Sequence, residues 1–295
     1  MGGGSYNYGS AIHRSSLRSS QTREEIFHNR RINPEMVIKG KIRESCDSEE
    51  HPNSFPIIIA LDVTGSMGQI PENLIREAFP EIMKKIQDSG VEHAQVCFIG
   101  VGDHHCDDAP IQVGQFETSD ELTEKWLQNI FIEGGGGGNY GESYMLAWYT
   151  AAFHTTTDSF KKRGKKGVLI TIGDEPCLKL LEKDAIQKLF GGAETDITTS
   201  EILEAAKQKW DVFHININDY ASQRYGSPEK WRSLIGQNLL LAESMESEEI
   251  SGIISSIIVR SYKSGQSSSK ETPVEVSTTP SEESKVEKQE VKHEL

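Results

Sequence analysis

Between residues 56 and 262 short apolar runs alternate with longer amphipathic stretches, and this alternation restricts the fold more than any other feature of the sequence. Apolar runs of strand length joined by helices are the sequence form of a mostly parallel sheet, because each parallel pair needs a crossover long enough to bring the chain back. Ile57-Ile58-Ile59-Ala60-Leu61, Ala94-Gln95-Val96-Cys97-Phe98-Ile99, Gly167-Val168-Leu169-Ile170-Thr171-Ile172 and Val212-Phe213-His214-Ile215-Asn216-Ile217 read as four such strands. Ile111-Gln112-Val113-Gly114-Gln115-Phe116 alternates apolar and polar residues close behind the second run, so an antiparallel edge strand is expected there. Leu239-Leu240-Leu241 reads as a short sixth strand. Leu74, Ile75, Ala78, Phe79, Ile82, Met83 and Ile86 share one helical face, with Pro80 expected to bend that helix and Gly90 to close it. Further helices are expected at 119–130, capped by Ser119, and at 142–154, 181–190, 200–209, 228–235 and 247–262.

Composition sets the ends of this α/β unit. Residues 264–295 lack aromatic side chains and consist mainly of Ser, Thr, Pro, Glu and Lys, which cannot bury enough apolar area to offset the entropy of ordering. The expected organisation is a flexible Gly-, Ser- and Arg-rich arm over 1–32, a folded unit over 33–263 and a disordered acidic tail over 264–295. The net charge of −14 opposes binding to a phosphate backbone, so nucleic acid is not an expected partner. The longest apolar run, 55–61, is far below the roughly 20 residues of a membrane-spanning helix, so no membrane association is expected. Four dispersed cysteines without a C-x-x-C pair, and no apolar signal core, fit a cytoplasmic protein.

In an open α/β sheet ligands collect beyond the carboxyl ends of the strands. The first strand is followed by Asp62-Val63-Thr64-Gly65-Ser66, placing a carboxylate and two hydroxyls at alternate positions, where they can converge on one hard cation. Mg²⁺ suits such a site, since it takes about six oxygens at roughly 2.1 Å and keeps water among them. The glycine run at 134–138 leads through Asn139-Tyr140-Gly141-Glu142-Ser143 into helical sequence, without the Lys-Ser/Thr of a phosphate-binding loop. Gly173-Asp174-Glu175 follows the third buried strand and brings a second carboxylate to the same edge.

With Asp62-x-Thr64-x-Ser66 after the first strand, a glycine-rich loop opening a helix and Asp174 after a later strand, the chain resembles the von Willebrand factor type A domain over roughly 56–262. With Gly102-Asp103 and Glu142-Ser143 added, it is similar to an uncharacterised bacterial branch of that family. The resemblance implies a Rossmann-like, doubly wound, mostly parallel sheet with one antiparallel edge strand and helices on both faces. It also implies a metal-ion-dependent adhesion site for Mg²⁺ or Mn²⁺, held by Asp62, Thr64, Ser66 and Asp174 and completed by an Asp or Glu of a protein partner. An adaptor role toward an AAA+ ATPase is a further implication. Two departures stand out. The family's second-loop threonine is replaced by Gly138 or Asn139, leaving Asn139, Glu142, Ser143 or water as the substitute, and Ile172 and Gly173 separate Thr171 from Asp174.

Asp103-His104-His105-Cys106-Asp107-Asp108 is dense in metal-ligating types. Neighbouring residues of an extended segment point to opposite sides, so a solvated loop is expected there rather than one transition-metal site. Asp103 and Glu175 are expected to stand behind the primary ligands. Cys97, His154, His214, Trp126 and Trp148 read as structural, and the cations at 161–166 as a solvated loop. Three function classes follow: a metal-dependent protein-binding module without catalytic activity, a metal-free interaction scaffold with a degenerate site, and a Mg²⁺-dependent phosphohydrolase using Asp62 as nucleophile. Thr64 stands where the third class needs a second acid.

Overall fold

The computed structural model describes residues 4–65, 67, 69–134, 141–192 and 194–267. Its centre is a six-stranded sheet formed by β2 (Phe55–Asp62), β3 (Ala94–Val101), β4 (Ile111–Val113), β6 (Gly167–Gly173), β9 (Trp210–Ile217) and β10 (Leu239–Ala242), in the order β10-β9-β6-β2-β3-β4. All neighbours pair in parallel except β3 and β4, which are antiparallel, as the tight connection between them demands. Short strands β1 (Arg43–Ser45) and β5 (Thr155–Thr157) make a separate parallel pair, and β7 (Leu180–Leu181) and β8 (Ile197–Thr198) an antiparallel one.

The strands are buried on both faces, and their period-two alternation divides the core in two. Ile57, Ile59 and Leu61 face one layer with Phe98, Ile170 and Ile215, covered by α4 (Phe79–Asp88), α5 (Asp120–Gln128) and α12 (Ser247–Ser267). Ile58, Ala60 and Leu169 face the other, covered by α6 (Met145–Phe153), α8 (Lys183–Leu189), α9 (Thr199–Lys207) and, after the short α10 (Tyr220–Tyr225), α11 (Ser227–Ile235). Trp126, Trp148 and Cys97 are buried in these layers, as their expected structural role requires.

Pro80 is accommodated by local widening of the helical backbone. Residues 74–78, between α3 (Gln69–Asn73) and α4, form π-helix, and the Phe79 amide reaches back five residues to the Leu74 carbonyl. This register shift falls where proline would otherwise meet the preceding carbonyl and withhold a donor. Gly90, with φ of 79°, ends the helix as expected.

The N-terminal segment corrects the reading of 1–32 as a flexible arm. Residues 8–18 form α1 (Tyr8–Arg18), capped by Asn7, and 23–26 form α2 (Arg23–Ile26), closed by a Thr22–Glu25 capping box. Tyr6, Ala11, Ile26 and Phe27 are buried in the first core layer. The arginines that gave the segment its solvated character pair with α5: Arg14 with Asp120 at 2.5 Å and Glu124 at 2.7 Å, and Arg18 with Glu124 at 2.6 Å. The cations at 161–166 are likewise ordered. They lie partly on α7 (Asp158–Arg163), and Arg163 forks onto Asp47 at 2.7 and 3.0 Å. At the other end α12 runs to Ser267, so the expected tail begins helically, and 268–295 lie outside the described residues. No helix among the described residues is long and apolar enough to cross a membrane.

Candidate metal centre

Strand register brings the acidic turns together. Leu61 is level with Ile172, Asp62 with Val101, and Gly173 with Asn216, so the exits of β2, β3, β6 and β9 share one edge of the sheet. Asp62 and Asp174 are 1% and 0% exposed. The Glu142 segment is tied to the β6 exit by its own backbone, the Glu142 amide donating to the Pro176 carbonyl and the Leu178 amide to the Glu142 carbonyl.

Asp62 is held on both oxygens. Oδ1 accepts from the Thr64 amide at 2.9 Å and the Thr64 hydroxyl at 2.6 Å, and Oδ2 accepts from the Tyr144 hydroxyl at 2.6 Å. Thr64 donates its proton and keeps oxygen lone pairs for a ligand role. Burial raises the Asp62 carboxyl, and the hydrogen bonds from Thr64 and Tyr144 oppose that shift. Burial also drives the Tyr144 hydroxyl well above its ordinary value, with the charges of Asp62 and Asp174 adding to the effect, so it remains a donor. Gly173 makes room for this contact, because a Cβ there would overlap the Tyr144 hydroxyl.

Glu142 is strongly perturbed. It is 3% exposed, its Oε2 has no hydrogen-bond partner among the described residues, and burial, followed by Asp62, Glu175, Asp103 and Asp107, pushes its pKa up to about 10. Glu175 is raised in the same way, by burial and then by Asp62 and Asp103. No lysine or arginine is among the groups that dominate the titration of Asp62, Glu142, Tyr144 or Glu175. A buried set of carboxylates with one oxygen unsatisfied among the described residues fits a hard divalent ion.

The other expected ligands are distributed as follows. Ser66 and Asn139 lie outside the described residues. Ser143 is turned toward Asp103 and His104: its Oγ accepts from the His104 amide at 3.0 Å and lies 3.4 Å from Asp103 Oδ1. Asp103 is fully buried, and its amide donates to Asp107 Oδ2 at 2.7 Å. The reading of 103–108 as a solvated loop holds for His105, Cys106 and Asp108, which are exposed, but not for Asp103 and Asp107, which are buried. The segment is a compact turn, with the Cys106 and Asp107 amides donating to the Asp103 carbonyl. Tyr144 and Glu182 are the functional residues that the sequence does not reveal. Only the glycine immediately before Asp174 hinted that a side chain from elsewhere needs that space. His214 is structural, buried and stacked on Trp231 at 3.5 Å, with Thr171 on its Nδ1 at 2.9 Å.

No protein-family model matches the chain, and no characterised protein matches it in sequence. Among solved structures, an open form of the pilus adhesin SpaC from Lactobacillus rhamnosus GG matches at 11% identity with a TM-score of 0.46, over 76% of this chain and 31% of the adhesin. The chain thus spans about a third of that protein's length. A von Willebrand factor type A structure from Catenulispora acidiphila matches at 11% identity and TM-score 0.42, over 71% of this chain and 43% of that one. BatB from Bacteroides thetaiotaomicron, a conserved hypothetical protein, matches at 15% identity and TM-score 0.42, over 71% of this chain and all of that one. On its own topology, a mostly parallel six-stranded sheet with one antiparallel edge and helices on both faces, the chain has a Rossmann-like α/β architecture, the fold that the sequence resemblance implies.

Proposed function

We propose that the protein is a metal-dependent protein-binding module. The residues that would hold Mg²⁺ or Mn²⁺ are Asp62, Thr64, Ser66 and Asp174, with Glu142 supplying the oxygen that a threonine gives elsewhere in the family. A bound ion would offer open coordination to an Asp or Glu of the partner. One observation carries this reading: Glu142 is buried among like charges, and among the described residues its Oε2 has no hydrogen-bond partner. Tyr144 and Thr64 orient Asp62, and the Glu142 backbone anchors its side chain beside the β6 exit. Membership of a larger assembly, such as one with an AAA+ ATPase, and a cytoplasmic setting belong to the same reading, the latter supported by four free cysteines.

Calorimetric titration of the full chain with Mg²⁺ and Mn²⁺ tests the site, and capture of acidic peptides with and without chelator tests its use. Wild type should bind one ion, and Asp62→Ala should abolish both ion binding and capture. No ion binding by a folded wild type would favour a metal-free scaffold instead.

A further inference from the structure

Beside the carboxylate cluster lies a second group of ligands of different chemistry. We propose that His104, His105 and Glu182 form a site for a borderline transition-metal ion, Zn²⁺ being the best fit. The two imidazoles are consecutive, yet they face the same way because 103–107 is a turn: their ring centroids are 4.0 Å apart with planes tilted by 34°. Both Nε2 atoms point at one carboxylate, His104 at 2.8 Å from Glu182 Oε2 and His105 at 3.3 Å from Oε1.

Behind the rings, each Nδ1 has its own partner. His104 Nδ1 is 2.6 Å from Ser143 Oγ, and His105 Nδ1 is 3.3 Å from Oδ1 of the fully buried Asp103. A hydroxyl or carboxylate on the far nitrogen fixes the ring orientation and leaves the Nε2 lone pair for a metal, as is general for zinc-bound histidines. Ligands about 2.0–2.1 Å from a tetrahedral Zn²⁺ are roughly 3.3 Å from one another, close to the two imidazole–carboxylate spacings of 2.8 and 3.3 Å. The His105 and Glu182 side chains are 46% and 41% exposed, so ions have a path in and a fourth position opens to solvent. Imidazole nitrogen favours Zn²⁺ over Mg²⁺, which separates this site from the oxygen cluster at Asp62. Asp103 and Ser143 adjoin both sites, but none of the three proposed zinc ligands serves the Mg²⁺ reading.

The test uses the full chain stripped with chelator and titrated with Zn²⁺ in excess Mg²⁺, with Co²⁺ as a spectroscopic substitute. Wild type should bind one Zn²⁺ and give the intense visible bands of tetrahedral Co²⁺. His105→Ala and Glu182→Gln, both at exposed positions, should each weaken Zn²⁺ by about tenfold or more and remove those bands while melting normally. Asp62→Ala should retain Zn²⁺ even where it loses Mg²⁺. Zn²⁺ binding that survives both variants but disappears in Cys106→Ser or Asp62→Ala would overturn the assignment, as would absence of stoichiometric binding to wild type.

Discussion

The Tyr144 hydroxyl donates to Asp62 Oδ2 at 2.6 Å, linking the residue just before α6 to the carboxylate at the end of the central strand. The contact supplies a buried acid with a donor that no local turn provides. Tyr144→Phe should therefore destabilise the metal-free protein by about 1–3 kcal/mol, the cost of an unsatisfied buried acceptor. Gly173→Ala, which displaces the same hydroxyl, should show a loss of similar origin. Urea unfolding in chelator measures both, and unchanged midpoints would mean that the bond contributes nothing.

Glu142 predicts an unusual pH dependence. In the unfolded chain its proton leaves near the ordinary value of 4.5, whereas in the folded, metal-free protein it is held until about 10. The unfolded state therefore binds fewer protons across this window, and this group's effect is that stability falls as pH rises. Glu142→Gln should flatten the dependence of melting temperature on pH between about 5 and 9. A parallel curve for the variant would place the perturbation elsewhere.

The same proton should appear in metal binding. If a cation displaces it, titrations with Mn²⁺ near neutrality should release about one proton, seen as a heat that varies with the ionisation enthalpy of the buffer. Glu142→Gln should abolish that variation.

Ion binding to the folded state alone should raise stability by about 2.7 kcal/mol at a hundredfold excess over the dissociation constant. Thermal melts across a Mg²⁺ series would reveal this increase, and Asp62→Ala should erase it.

Removing the N-terminal segment should damage the fold itself. Phe27 is 3% exposed within the first core layer, so Phe27→Ala should cost about 3–5 kcal/mol. Deletion of residues 1–32 strips Tyr6, Ala11 and Ile26 as well and leaves Glu124 buried without its arginines. Its denaturant midpoint should drop further than that of the point variant, and an unaltered midpoint would return the segment to the role of a loose arm.

Much of this molecule is legible in its sequence, because buried strands advertise themselves locally. Ile57 to Leu61 needs no partner to be read as a strand, and Ser119 caps its helix through the Leu122 amide three residues away, at 3.3 Å. That the strand exits carrying Asp62 and Asp174 share one edge follows from the rule that such exits gather there. Tyr144 was not legible, since nothing near it in the chain distinguishes a core aromatic from one whose hydroxyl meets an acid 82 positions earlier. The N-terminal segment misled for a related reason. Arg14 and Arg18 look solvated until Asp120 and Glu124, more than a hundred residues away, are placed beside them.

From the sequence alone came the parallel sheet, its antiparallel edge and the acids at the strand exits, all governed by hydrophobic periodicity and short-range turn chemistry. Only the tertiary structure decided which side chains share a dielectric cavity. The elevation of Glu142, the bond from Tyr144 and the convergence of two imidazoles on Glu182 depend on distances between remote segments, and electrostatic energy at such separations is invisible to local pattern.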